Sequence, residues 1–142
     1  MLKWKLVAAL GLSCGIAGVA WGFAQQPREP GFFELRIYTT LPGKRDALAA
    51  RFGDYTTGIY ERHGIRNVGY WLATSGEDAE RTFVYMRGYP SRRARDERLP
   101  EAHADPEFRE VVAAAERDPD TRLIESVRSL DLVPTDYSAI RW

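Results

Sequence analysis

Two histidines are the side chains in this sequence best suited to proton transfer or metal coordination. His63 ends an apolar stripe at helical spacing and precedes Gly64, which can adopt the left-handed conformation that stops a helix. There the imidazole either caps the helix carbonyls, or lies at the mouth of a helix–sheet cavity as a proton acceptor or haem ligand. His63 is therefore the candidate catalytic residue. His103 lies in a polar segment and is expected to be exposed.

Three aromatic residues are candidates for contact with a ligand. Tyr38 and Tyr85 are predicted to lie on strands, and each hydroxyl needs a hydrogen-bond partner if its ring is buried, which makes both candidate donors in a pocket. Trp71 follows Tyr70 on a strand, so these two rings point to opposite faces of the sheet. Packing in the core or at an interface is the alternative role for these aromatic rings.

Several classes of chemistry find no support in the sequence. The only cysteine is Cys14, and the two histidines have no carboxylates at a metal-ligand spacing, so neither thiol chemistry nor a metal site is expected. There is no serine-centred elbow, phosphate-binding glycine loop or dinucleotide fingerprint. Acidic and basic residues balance at 20 each, which argues against nucleic-acid binding. No cofactor is expected.

Residues 1–24 have the composition of an export leader. Two lysines precede an uncharged apolar run over residues 6–24, and Gly22 and Ala24 supply the small side chains of a cleavage site. The predicted location is the periplasm or the cell exterior. The apolar run is also long enough to remain as an uncleaved membrane anchor, which is the alternative. Cleavage leaves 18 basic against 20 acidic residues, a net charge near −2.

The first predicted elements are a strand and a helix that follow a polar linker at residues 25–31. The strand has an apolar face and a mixed face, and the mixed face either meets solvent or an interface, or lines a cavity. The helix runs from about Lys44 to His63, with an apolar stripe that includes Tyr55. The apolar strand positions are Phe33, Leu35, Ile37 and Thr39, and the mixed positions are Phe32, Glu34, Arg36 and Tyr38.

The remaining elements continue the alternation of strands and helices. Strands at residues 65–73 and 81–89 flank a hairpin turn. The helical region that follows is expected to break at Pro100, which cannot donate a helical hydrogen bond, and to restart at Asp105 as an N-cap. A last strand covers residues 121–133.

This order of elements predicts an α+β protein with a ferredoxin-like βαββαβ fold. Its four-stranded antiparallel sheet carries both helices on one face, within one domain over residues 32–134, and residues 135–142 form a tail. Two helices cover only one face of such a sheet, so the apolar side chains on the other face need a partner. A second copy packing sheet to sheet is the expected partner, which gives a homodimer.

Three ordered motifs resemble the NIPSNAP family over residues 33–134. They are FELRIYTTLPGKRDAL at 33–48, IYERHGIRNVGYW at 59–71 and ADPEFREVV at 104–112. The resemblance implies a dimeric α+β barrel. Relatives in the wider superfamily include small cofactor-independent monooxygenases, haem-degrading enzymes and stress-response barrels, whereas some eukaryotic members are thought to act through protein interactions at mitochondria. The family provides no catalytic set that can be carried over by position.

Two hypotheses follow. The first is an exported dimeric barrel that binds a small apolar or aromatic molecule between helices and sheet, with cofactor-independent oxidation as the reaction that the superfamily suggests. Tyr38, His63, Trp71 and Tyr85 would lie near that molecule. The second is a non-catalytic interaction or scaffold module in the cell envelope. Neither hypothesis involves nucleic acid, and a membrane is involved only if the leader is retained.

Overall fold

The computed structural model describes residues 31–142, so the predicted leader and most of the predicted linker lie outside the described residues. Four strands form one antiparallel sheet in the order β2-β3-β1-β4, with helices packed on one face. This is the predicted ferredoxin-like arrangement. Within residues 31–142, no helix is both long and apolar enough to cross a membrane. The strands are β1 (Phe32–Thr40), β2 (Arg66–Leu72), β3 (Thr82–Tyr89) and β4 (Ile124–Leu132).

The first helical segment is continuous but contains a π-helical turn. It comprises α1 (Arg45–Arg51), the π-helical stretch Phe52–Thr56 and α2 (Thr57–Arg62). The wider turn shifts the side chains that follow, so Thr56 is buried and Tyr55 of the predicted stripe is 44% exposed. The segment ends as predicted at Gly64, which has a φ of 68° and donates a 2.9 Å hydrogen bond to the Glu61 carbonyl.

The second helical region divides at Asp105 and not at Pro100. Helix α3 (Arg92–Ala104) runs through Pro100, and α4 (Pro106–Glu116) follows at once. A proline removes only one helical hydrogen bond, and the contacts of α3 with the sheet maintain the helix around it. The predicted N-cap is confirmed, because the Asp105 carboxylate accepts a 3.0 Å hydrogen bond from the Glu107 N–H.

The mixed face of β1 turns toward the helices. Glu34 and Tyr38 are 1% and 7% exposed, so the interpretation of this face as solvated or interface-facing is wrong, and the alternative that it lines a cavity is confirmed. The charge of Glu34 is tolerated there because arginines from two other elements surround it.

The apolar face of β1 lies on the opposite side of the sheet, which no helix covers. Leu35 stands at its centre, paired in register with Met86 on β3 and Leu130 on β4. We call this surface the open face; Leu35, Ile37, Trp71, Val84, Met86 and Leu130 belong to it.

The C-terminal tail crosses one end of the open face. It packs over Phe33, which is only 3% exposed, together with Leu132 and Ile140. Arg66 fixes the tail through a 2.6 Å hydrogen bond from its Nη1 to the Arg141 carbonyl. The rest of the open face stays accessible, with Leu130 41% exposed.

Candidate functional site

A cavity of about 250 Å³ lies between the sheet and the helices. Strands β1 and β3 form its floor, and the π-helical stretch, α3 and α4 form its walls. Single π-helical turns inside α-helices occur frequently at functional sites, so the position of this turn beside the cavity favours the cavity as the functional site. The lining includes Glu34, Arg36, Tyr38, Arg51, Phe52, Thr56, Tyr60, Tyr85, Arg87, Arg95, His103, Phe108, Val112 and Glu116.

Stacked aromatic rings make one wall of the cavity apolar. The rings of Tyr38 and Tyr85 stack with centroids 5.7 Å apart, and Phe52 packs against Tyr85 at 4.8 Å. Tyr85 is fully buried, and burial raises the pKa of its phenol well above the ordinary value. Burial likewise raises the pKa of Tyr60. Both phenols are therefore neutral at physiological pH and can donate or accept hydrogen bonds.

A buried ionic cluster closes the end of the cavity at Glu34. One carboxylate oxygen of Glu34 accepts a 2.6 Å bond from Nε of Arg87, and the other accepts bonds of 3.0 and 2.8 Å from Arg95. Nη1 of Arg87 also donates to the Tyr60 hydroxyl at 2.9 Å. Burial by itself would raise the pKa of Glu34, but Arg87 and Arg95 outweigh burial and hold that pKa below its usual value. The role of Glu34 is structural, because both of its carboxylate oxygens already accept hydrogen bonds from arginines.

His103, and not His63, is the histidine at the cavity. It lies on α3 and is exposed on its outer side as predicted, although the segment is helical, and its ring stacks on Phe108 at 4.8 Å. Burial of one side of the ring, together with the positive charges of Arg87 and Arg36, lowers the pKa of His103. A neutral imidazole at the cavity wall can accept a proton.

His63 lies away from the cavity lining. Its Nε2 is 2.9 Å from Oδ2 of Asp105, and Arg62 donates two further bonds to the same carboxylate at 3.0 and 2.9 Å. The imidazole therefore links the end of α2 to the start of α4, and it does not bond the helix carbonyls that the capping role required. Its candidate role as a cavity base finds no support in this geometry.

The three predicted ligand contacts separate onto two faces of the sheet. Tyr38 and Tyr85 lie together on the helix side and line the cavity. Trp71 lies on the open face, where its indole packs against Gly69 so closely that an added Cβ there would be 2.6 Å from the ring. It is Tyr70 that faces the helices, stacked on Tyr85 at 5.6 Å.

Four arginines of the cavity were not identified as site residues from the sequence. Cavity lining was only the alternative for the strand face that carries Arg36, and Arg95 was assigned with its basic neighbours to a solvated helical face. Arg51 and Arg87 were not singled out. One signal was available: Tyr85 and Arg87 on β3 repeat the alternation of charge and aromatic ring found at Arg36 and Tyr38. Two such faces on paired central strands indicate a polar pocket rather than a solvated surface.

In the part of the chain that the structure describes, no group of three or more potential metal ligands occurs.

Solved structures with this fold include several bacterial proteins of one family. An uncharacterized NIPSNAP-like domain protein from Burkholderia xenovorans is 24% identical, with a TM-score of 0.67 over 80% of this chain and 92% of its own. A NIPSNAP family protein from Agrobacterium tumefaciens is 25% identical, with a TM-score of 0.67 over 78% and 99%. A putative antibiotic biosynthesis monooxygenase from Chloroflexus aurantiacus, 17% identical, has a TM-score of 0.51 over 78% and 98%, a likeness of fold alone.

The sequence itself assigns the family. No curated protein matches the chain. The sequence profile of the NIPSNAP family matches residues 33–139, from the second residue of β1 through β4 and into the tail. That range includes every residue of the cavity lining and agrees with the resemblance noted in the three ordered motifs. The chain belongs to the NIPSNAP family.

Proposed function

We propose that this protein binds a small aromatic or apolar organic molecule in the cavity between helices and sheet. The observation that carries the proposal is the cavity's composition, with stacked aromatic rings on one side and a limited set of convergent polar groups on the other. A cavity of roughly 150 Å³ can hold benzene, so about 250 Å³ suits a molecule of one or two rings.

Filling the cavity should weaken this binding. We expect Val112→Trp on α4 to lower the affinity for the neutral probe 2-naphthol by at least about tenfold, because the indole would occupy the ligand's volume. Val111→Trp is the matched control, since Val111 lines a neighbouring groove with Tyr55 and does not line the cavity. Fluorescence titration measures both affinities. Equal affinity in the two variants would place the probe outside the cavity.

Oxidation of the bound molecule by dioxygen without a cofactor is an extension of the same proposal. It is supported by the shared fold of the putative monooxygenase and by His103, whose lowered pKa leaves a neutral base at the cavity. We expect oxygen uptake on addition of an activated phenol, reduced by about 100-fold or more in His103→Gln and unchanged in His63→Gln. An oxygen electrode measures it. Absence of uptake would remove the reaction and leave the binding function.

Homodimer formation through the open face also belongs to the proposal. Trp71 and Leu130 of the open face are 48% and 41% exposed, and a second sheet would bury this apolar surface on both copies at once. The open face equally supports the second candidate function, an interaction module that binds another envelope protein there.

Export through cleavage after Ala24 is proposed from the composition of residues 1–24, with retention as an anchor as the alternative.

A further inference from the structure

The cavity holds more positive charge than its own carboxylates neutralise. Four arginines and two glutamates line it, and one of those glutamates, Glu34, is fully engaged by Arg87 and Arg95. The two arginines that remain are Arg36 and Arg51. They come from separate elements, since Arg36 lies on β1 and Arg51 is the last residue of α1.

Neither of these guanidinium groups is satisfied within residues 31–142. The Nε atoms of Arg36 and Arg51 are buried and have no hydrogen-bond partner there. Arg36 donates only a long 3.5 Å bond from Nη2 to the Tyr38 hydroxyl. A buried donor without a partner is destabilising, and such groups in native proteins are usually explained by a water, an ion or a ligand.

The second glutamate does not resolve the imbalance. Glu116 lies on the surface at the end of α4 and lines the cavity at its rim, where water screens its charge. It interacts with Arg51 through space, yet burial dominates and lowers the pKa of Arg51. A bound anion would counter that effect directly, because an opposite charge close to a guanidinium favours its protonated form.

The cavity opens to solvent beside Arg51. A surface depression of about 370 Å³ between α4 and β4 shares Tyr38, Arg51, Glu116 and Ile124 with the cavity. Arg51 therefore lies at this entrance together with Tyr38, whereas Arg36 lies on the cavity floor formed by β1. A molecule with an apolar body and one anionic end matches this layout, with its rings on Phe52 and Tyr85 and its anionic end at the guanidinium groups.

We propose that the ligand is a small organic carboxylate with an aromatic or otherwise apolar body, whose carboxylate is bound by Arg36 and Arg51. The inference rests on the proposed binding function and specifies its ligand class. Guanidinium groups match the planar geometry of a carboxylate with paired hydrogen bonds. The neutral phenols of Tyr60 and Tyr85 add donors that need no counter-charge.

A matched pair of ligands tests the assignment. The anion 2-naphthoate and its neutral amide 2-naphthamide have nearly the same shape, so their affinity ratio isolates the carboxylate charge. We expect wild-type protein to prefer naphthoate by about 10- to 100-fold in calorimetric titration. Arg36→Gln and Arg51→Gln should each reduce that preference by about tenfold, whereas Arg93→Gln, which removes an exposed charge on α3, should retain it.

The outcomes separate this inference from the binding function itself. Equal affinity for the two ligands in wild-type protein, or a preference that survives both glutamine variants, overturns the carboxylate assignment and leaves the cavity as a binding site. Failure of both ligands and of 2-naphthol overturns the binding function. Displacement of naphthoate by equimolar inorganic phosphate overturns the organic carboxylate in favour of a phosphate site. If Arg36→Gln or Arg51→Gln fails to fold, lysine at the same position replaces glutamine in the test. The lysine variant should keep part of the preference for naphthoate over naphthamide, and full retention would contradict paired guanidinium recognition.

Discussion

Glu34→Leu should lower the free energy of unfolding by about 3–5 kcal/mol at neutral pH. Removal of the carboxylate leaves Arg87, which is 2% exposed, as a buried cation without a counter-charge, and it also frees Arg95 from its partner. Most of this loss of stability comes from the Arg87 cation, which stays behind in a poorly solvating environment. The lost attraction between Glu34 and the two arginines is the smaller part. Chemical denaturation followed by circular dichroism measures the change.

Two variants control this result. Glu97→Leu breaks the exposed ion pair with Arg93 and should change the unfolding free energy by at most about 0.5 kcal/mol. The double variant Glu34→Leu/Arg87→Met removes both buried charges and should recover most of the loss, since a packed apolar pair can replace a buried ion pair. A single Glu34→Leu variant as stable as the Glu97→Leu control would contradict the structure of the cluster.

The same comparison has a defined pH dependence. The pKa of Glu34 in the folded protein lies below its ordinary value of 4.5, so the unfolded chain takes up a proton first as the pH falls. The stability that Glu34 contributes is therefore complete above about pH 4.5 and is lost as the pH falls through the folded pKa. The difference between wild type and Glu34→Leu should narrow in acid and stay constant from neutral pH upward.

Leu35→Asp should abolish the proposed homodimer, raising its dissociation constant by at least about 100-fold. Leu35 lies at the centre of the open face between Met86 and Leu130, so a symmetric sheet-to-sheet contact would bury two aspartates without partners. In a single chain the same carboxylate can reach water, because Leu35 is only partly buried. The expected product is a folded monomer, measured by sedimentation over a range of concentrations.

An exposed helical position supplies the control for this substitution. Ala113→Asp adds the same charge to α4, away from the sheet, and should leave the association unchanged. Wild-type protein that sediments as a monomer at micromolar concentration would contradict the dimer proposal. Dimers of undiminished affinity in Leu35→Asp would place the contact on another surface.

The order of elements could be predicted from the sequence because local signals mark it. Turn residues at 74–78, the cap at Asp105 and the stop at Gly64 each act within a few residues, and each appears where expected. Pro100 was wrongly predicted to break the helix, because its local cost is outweighed by contacts that α3 makes with distant parts of the chain. The π-helical turn at Phe52–Thr56 has no local signal of comparable strength.

The face that β1 turns inward could not be predicted, because the decisive partners are distant in sequence. A lone glutamate is unsuited to burial, and Glu34 is buried only because Arg87, 53 residues away, and Arg95, 61 residues away, lie beside it. Alternation correctly put Tyr70 and Trp71 on opposite sides, but it does not say which ring faces the helices. The assignment of His63 to the cavity had the same weakness, since Asp105 determines where the imidazole points.

Chemical-shift mapping with 2-naphthol tests the binding function most directly, because it locates the probe while measuring its affinity. The largest shifts should fall on backbone amides around the cavity, at Tyr38, Thr56, Tyr85 and Phe108, and they should saturate with one probe per chain. Shifts concentrated on the open face around Leu35 and Trp71 would show that the probe binds the exposed apolar surface instead. That outcome, or no saturable shift at all, would contradict a ligand site between helices and sheet.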